Sequence, residues 1–68
     1  MSKRLGKAIK EKRELLGYSQ DALAFELNVT QAYISLIEKG EKKPTVCTLN
    51  SLAAVLEIDI KELVDLMV

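Results

Sequence analysis

The chain has 68 residues, enough for one small domain with a modest core that pairing with a second copy would help to stabilise. It holds one Cys and no His, which excludes an internal disulfide, a Cys/His metal site and a Cys/His nucleophile pair, and no stretch is long and apolar enough for a signal peptide or a membrane span. Ten Lys and Arg balance ten Asp and Glu, yet residues 1–43 carry nine basic against six acidic groups and residues 44–68 one against four, so the charge is polarised along the chain.

Helical spacing dominates, with no alternating strand pattern, so the chain is read as all-α with five helices. After a frayed start at Met1 to Lys3, the first helix runs from about Ser2 or Arg4 to Leu16. Its apolar face is Leu5, Ala8, Ile9 and Leu16, and Arg13 falls on that same face, one turn beyond Ile9. A charge there needs a partner or a route to solvent. Gly17 stops the helix with a positive φ, and Tyr18 lays its ring on the core. The second helix spans Gln20 to Leu27, capped by Ser19, with Leu23, Ala24 and Leu27 as its stripe. Asn28 takes the left-handed conformation that ends it. Val29 is a buried plug, and Thr30 caps a third helix from Gln31 to Lys39 whose inward residues are Ile34 and Ile37. Gly40 stops that helix.

Two short helices joined by so tight a turn form a helix-turn-helix over Gln20 to Lys39, and the free face of its second helix suits a DNA major groove. After the loop at Gly40 to Pro44, Thr45 caps a fourth helix, Val46 to Leu56, with Leu49, Leu52, Ala53 and Leu56 at core spacing. Cys47 on that helix is expected to be a small buried apolar residue. Asp59 caps a fifth helix, Ile60 to Met67, with Ile60, Leu63, Val64 and Met67 facing the core. Ile58, Leu66 and Val68 lie beside that stripe. Together with Val64 and Met67 they are expected to form a homodimer interface, the alternative being a plain C-terminal cap on a monomer.

The segments LGKAIKEKR (Leu5 to Arg13), GYSQDALA (Gly17 to Ala24), VTQAYISLIEKG (Val29 to Gly40) and Pro44 to Leu63 together resemble the lambda-repressor-like, Cro-type (XRE) helix-turn-helix family. The resemblance covers nearly the whole chain and includes the five-segment layout. The departures are Asn28, where the family usually has Gly, and Lys12, where an apolar residue is common and whose gap Leu15 or Leu16 would fill. Leu36 also departs, since many relatives carry a polar or basic residue there. The resemblance implies that Arg13 pairs with Glu38 near the end of the third helix, tying it to the first. It also implies that Gln20 anchors a phosphate and that Lys42 and Lys43 meet a second flank of phosphates.

Phosphate contacts fix register and base contacts carry sequence. Thr30, Tyr33, Arg4 and Lys7 complete the expected phosphate set with Gln20, Lys42 and Lys43. Base reading falls to the exposed positions of the third helix. The Gln31 amide donates and accepts together, which suits adenine; Ala32 suits a thymine methyl; Ser35 reaches a base or a phosphate. Leu36 either meets a methyl group or packs against the loop after Gly40.

The expected function is therefore a transcriptional regulator, repressor or controller, that binds a pseudo-palindromic operator as a homodimer, with double-stranded DNA as its partner. No cofactor or metal is implied, and a chain of this length leaves no room for a ligand domain. Control would follow protein concentration, in a bacterial or phage-encoded cytoplasmic protein. The alternative is a protein-interaction module, such as an antitoxin or a domain contacting RNA polymerase or a toxin. Near-zero net charge and an apolar Leu36 favour that alternative; Gln20, Gln31, Lys42 and Lys43 oppose it. An enzyme is not expected, because the carboxylates scatter at helix-surface spacing and so small a helical domain offers little cleft.

Overall fold

The computed structural model describes residues 3–67. It contains α1 (Lys3–Leu15), α2 (Gln20–Leu27), α3 (Gln31–Glu38), α4 (Val46–Leu56) and α5 (Ile60–Met67). Side-chain oxygens set the starts of four of these helices: Ser19 Oγ accepts from Ala22 N–H at 3.0 Å, Thr30 Oγ1 from Tyr33 at 3.1 Å, Thr45 Oγ1 from Thr48 at 3.2 Å and Asp59 Oδ1 from Lys61 at 3.0 Å. Each satisfies an N–H that the first turn leaves without an intrahelical partner. Left-handed residues set the ends. Gly17 and Gly40 take φ of 82° and 79°, and Asn28 does the same work at φ 57°. Asn28 bends the chain so that Val29 N–H reaches the Ala24 carbonyl at 3.0 Å, closing the helix-turn-helix turn.

Glu57 ends α4 with φ 58°, a conformation that a side chain bearing Cβ adopts only at a cost. The bend brings Ile58 N–H to the Ala53 carbonyl at 3.0 Å and folds Ile58 against the core. Nothing in the residue type of Glu57 announces this.

One core joins all five helices: Leu5 and Ile9 of α1, Leu23 and Ala24 of α2, Ile34 and Ile37 of α3, Leu49, Leu52, Ala53 and Leu56 of α4, and Leu63 of α5. Tyr18, Leu27, Tyr33, Ile60 and Met67 pack against it from its edge. Gly6 is buried where α1 crosses α3, and a Cβ there would lie 2.5 Å from the Glu38 carbonyl oxygen and closer still to that of Ile37. The absent side chain sets how closely α1 approaches the end of α3.

Five expectations need correction. Leu16 is exposed because α1 ends at Leu15 and Leu16 already belongs to the turn into Gly17. Leu15 is 76% exposed, so neither residue fills the place beside Lys12. Cys47 is exposed rather than buried: it lies two residues, about 200° of helix rotation, before the core residue Leu49. Val29 is half-buried rather than a sealed plug. On α5, Val64 is 46% exposed, whereas Ile58 and Leu66 pack against the core. With Leu63 at the centre of the buried stripe, Leu66 sits about 60° to one side and Val64 about 100° to the other, which turns Val64 outward. Val68 of the expected dimer interface lies outside the described residues.

Candidate nucleic-acid interface

The helix-turn-helix is clamped to α1 by an ion pair. Arg13, only 7% exposed, donates from Nε to Glu38 Oε2 at 2.6 Å and from Nη2 to Glu38 Oε1 at 3.2 Å. Its Nη1 donates to the Tyr18 carbonyl at 2.8 Å, so the guanidinium also holds the connection into α2. The hydrogen bond to Glu38 raises the guanidinium above its ordinary value and outweighs the burial that would lower it. Geometry of this kind, a fork of donors on a carboxylate, is what makes a buried pair tolerable. Among the described residues, every buried side-chain nitrogen and oxygen has a partner.

The chain of contacts continues outward. Gln20 Nε2 donates to Glu38 Oε1 at 3.0 Å, and Gln20 Oε1 accepts from Gln31 Nε2 at 2.8 Å. The first residues of α2 and α3 are thus linked side chain to side chain, and through Glu38 to α1. Sequence spacing brings Gln20 and Gln31 to the starts of adjacent helices, but it does not signal that their amides bond to each other. One N–H of Gln20 remains unused in this arrangement, on a half-buried residue at the N-terminus of α2.

The other expected contact residues differ in exposure and in what holds them. Gln31 and Ala32 are exposed on the first turn of α3, Ser35 is half-buried one turn on, and Leu36 is 37% exposed. Thr30 is exposed and committed to its cap on Tyr33 N–H. Tyr33 rests partly on the core, with Lys42 Nζ 5.7 Å from its ring centroid. That cation–π contact ties the loop after α3 back to the helix. Lys43, Arg4 and Lys7 are exposed. The first turns of α3 therefore combine an amide held at one end, a small apolar side chain and a hydroxyl, with the Lys42 cation over Tyr33 of the same helix.

A family model described as helix-turn-helix matches residues 9–63. The chain belongs to the XRE-type helix-turn-helix family. It is 39% identical over 62 residues to the HTH-type transcriptional regulator SlrR of Bacillus subtilis, covering 90% of this chain and 41% of SlrR. The chain thus spans well under half of that relative. Among solved structures, it resembles the restriction-modification controller protein C.AhdI from Aeromonas hydrophila with TM-score 0.84 and 29% identity, covering 91% of this chain and 94% of the other. It also resembles SinR, the master regulator for biofilm formation, solved in complex with DNA. There the TM-score is 0.81 at 34% identity, over 90% of this chain and 98% of the other. The family consists of DNA-binding transcriptional regulators and is not enzymatic. Among the described residues, no helix of this member is long and apolar enough to cross a membrane.

Proposed function

We propose that the protein binds a pseudo-palindromic operator as a homodimer, with α3 of each subunit in a major groove, and regulates transcription from that site. The observation that carries this reading is the exposed Gln31 at the start of α3, its amide held by Gln20, with Ala32 and Ser35 beside it. Such a set suits base edges in the major groove: the amide an adenine, Ala32 a thymine methyl and the Ser35 hydroxyl either a donor or an acceptor. The likeness to SinR, solved with DNA, and to the controller C.AhdI supports it. Gln20, Thr30, Tyr33, Lys42, Lys43, Arg4 and Lys7 take the phosphate backbone on either side. Two half-sites then lie about one helical turn apart, roughly 34 Å.

The zero formal charge makes a single domain a weak ligand for DNA and gives dimerisation its purpose. Val64, exposed on α5 one turn from the half-buried Met67, supplies apolar area for that contact. Fluorescence anisotropy on random duplex DNA at several salt concentrations, with sedimentation of the same sample, tests both parts. Binding by a dimer that falls steeply with salt is expected. A folded chain that stays monomeric at high micromolar concentration sinks the dimer, and one that ignores DNA at low salt turns the search to a protein partner.

A further inference from the structure

We propose that Glu38 is a positioning residue that fixes the direction of the hydrogen-bond chain ending at Gln31, and so selects adenine over guanine there. The inference rests on the DNA-reading proposal above. Glu38 lies at the end of α3, away from the first turn that faces a base, and acts through Gln20.

A glutamine amide is nearly symmetrical in shape, with an acceptor oxygen and an NH2 group carrying two donors, and its direction is set only by its partners. The Glu38 carboxylate accepts and cannot donate. Arg13 occupies it from one side, at 2.6 and 3.2 Å, and Gln20 meets Oε1 from the other at 3.0 Å. Gln20 must therefore turn its NH2 inward. Reversed, its oxygen would face the carboxylate oxygen, acceptor against acceptor. The Gln20 oxygen then points at Gln31, and Gln31 must donate, as its 2.8 Å contact shows.

That commits one of the two N–H bonds on Gln31. What remains for a base is one donor and one acceptor. Adenine offers the complement in the major groove, an N7 acceptor and an N6 amino donor. Guanine offers two acceptors, N7 and O6, and needs both N–H bonds of Gln31. In the reversed chain Gln31 would accept from Gln20 and keep both N–H bonds free, which is the guanine pattern. The charge buried behind the helix decides between the two. The same direction leaves Gln20 one N–H for a phosphate.

Glu38→Gln changes this logic with little change of shape. The new amide oxygen keeps the shorter contact from Arg13 Nε, at the place of Oε2, and the new NH2 group takes the place of Oε1, where the longer contact from Nη2 is given up; facing Gln20 there, it reverses the chain. Gln20→Ala removes the link and leaves the ion pair untouched, so it guards against a Glu38 variant that fails to fold. The experiment selects bound sequences from a random duplex pool for the wild type, both variants and Gln31→Ala, the last marking the position that Gln31 reads. The wild type should favour adenine over guanine there by about tenfold or more. Glu38→Gln should lower that ratio by about tenfold at that position alone, and Gln20→Ala should lower it and, through the lost phosphate contact, weaken binding to every sequence as well. An unchanged ratio in folded Glu38→Gln overturns the inference; if that variant is unfolded by circular dichroism, an unchanged ratio in Gln20→Ala does so. NMR of the Gln20 and Gln31 side-chain amides without DNA separates the two failures. If the amides respond to Glu38→Gln but the wild type shows no salt-dependent DNA binding, the DNA reading has failed. Amides that do not respond mean that the chain itself is absent.

Discussion

Replacing Arg13 by Ala leaves the Glu38 carboxylate, 3% exposed, with the Gln20 amide as its remaining side-chain donor, and removes the donor to the Tyr18 carbonyl. Breaking one side of a buried pair costs about 3–5 kcal/mol, because the surviving charge stays desolvated. A domain of this size has roughly 3–10 kcal/mol in total. Arg13→Ala should therefore lower the urea midpoint severely and bring the chain close to unfolding at room temperature. Loss of the pair is a different matter from loss of one partner: Arg13→Met with Glu38→Met replaces both charges by apolar groups and should recover most of the loss. The contribution should also resist salt, since the pair lies out of the solvent that screens surface charges. Because the folded guanidinium is raised above its ordinary range, what Arg13 adds is fully present below that range and is lost only as pH rises through the raised value. Between about pH 6 and 9, the Arg13→Ala deficit should therefore show no pH dependence originating in Arg13. Chemical denaturation followed by circular dichroism measures all of this. A loss under about 1 kcal/mol for Arg13→Ala would refute the reasoning and mean that Glu38 finds solvent when its partner is gone.

Other perturbations have equally direct readouts. Gly6→Ala forces a methyl group onto the Ile37 and Glu38 carbonyl oxygens, so α1 must move off α3; a loss of about 1–3 kcal/mol in thermal or urea unfolding is expected despite the better helix propensity of Ala. Glu57→Gly relieves a left-handed residue that bears a Cβ and should raise stability by about 0.5–1 kcal/mol, visible as a higher melting temperature. Thr30→Ala removes the cap on Tyr33 N–H and should cost about 1 kcal/mol in unfolding while loosening the start of α3. Lys43→Ala should weaken every DNA sequence alike and reduce the salt slope of binding by about one unit, which anisotropy titrations at several ionic strengths would show.

What the sequence discloses depends on how local the cause is. The caps at Ser19, Thr30, Thr45 and Asp59 act within one turn, so their residue types and positions announce the helix starts. The stripe of Leu49, Leu52, Ala53 and Leu56 is legible for the same reason: its period belongs to one helix. Arg13 declares its need by standing on an apolar face, but the identity of its partner, 25 residues away, comes only from the family likeness. Cys47 and Leu16 mislead because their apolar side chains suggest a burial that helical phase denies: one points away from Leu49 and the other follows the last turn of α1. Gly6 carries a weak signal, since Gly inside a helix costs about 1 kcal/mol against Ala and so calls for a packing reason. Glu57 carries none, because its left-handed bend is imposed by where Ile58 must pack. The Gln31–Gln20–Glu38 chain joins side chains whose direction only the folded arrangement can set.

If α3 reads bases, it does so first through Gln31. The most direct test compares wild type and Gln31→Ala on a selected operator and on random duplex DNA at one salt concentration. A loss of about 1–3 kcal/mol on the operator, with little change on random DNA, is the predicted result. Equal losses on both would contradict it, and would make Gln31 one more contact to the phosphate backbone.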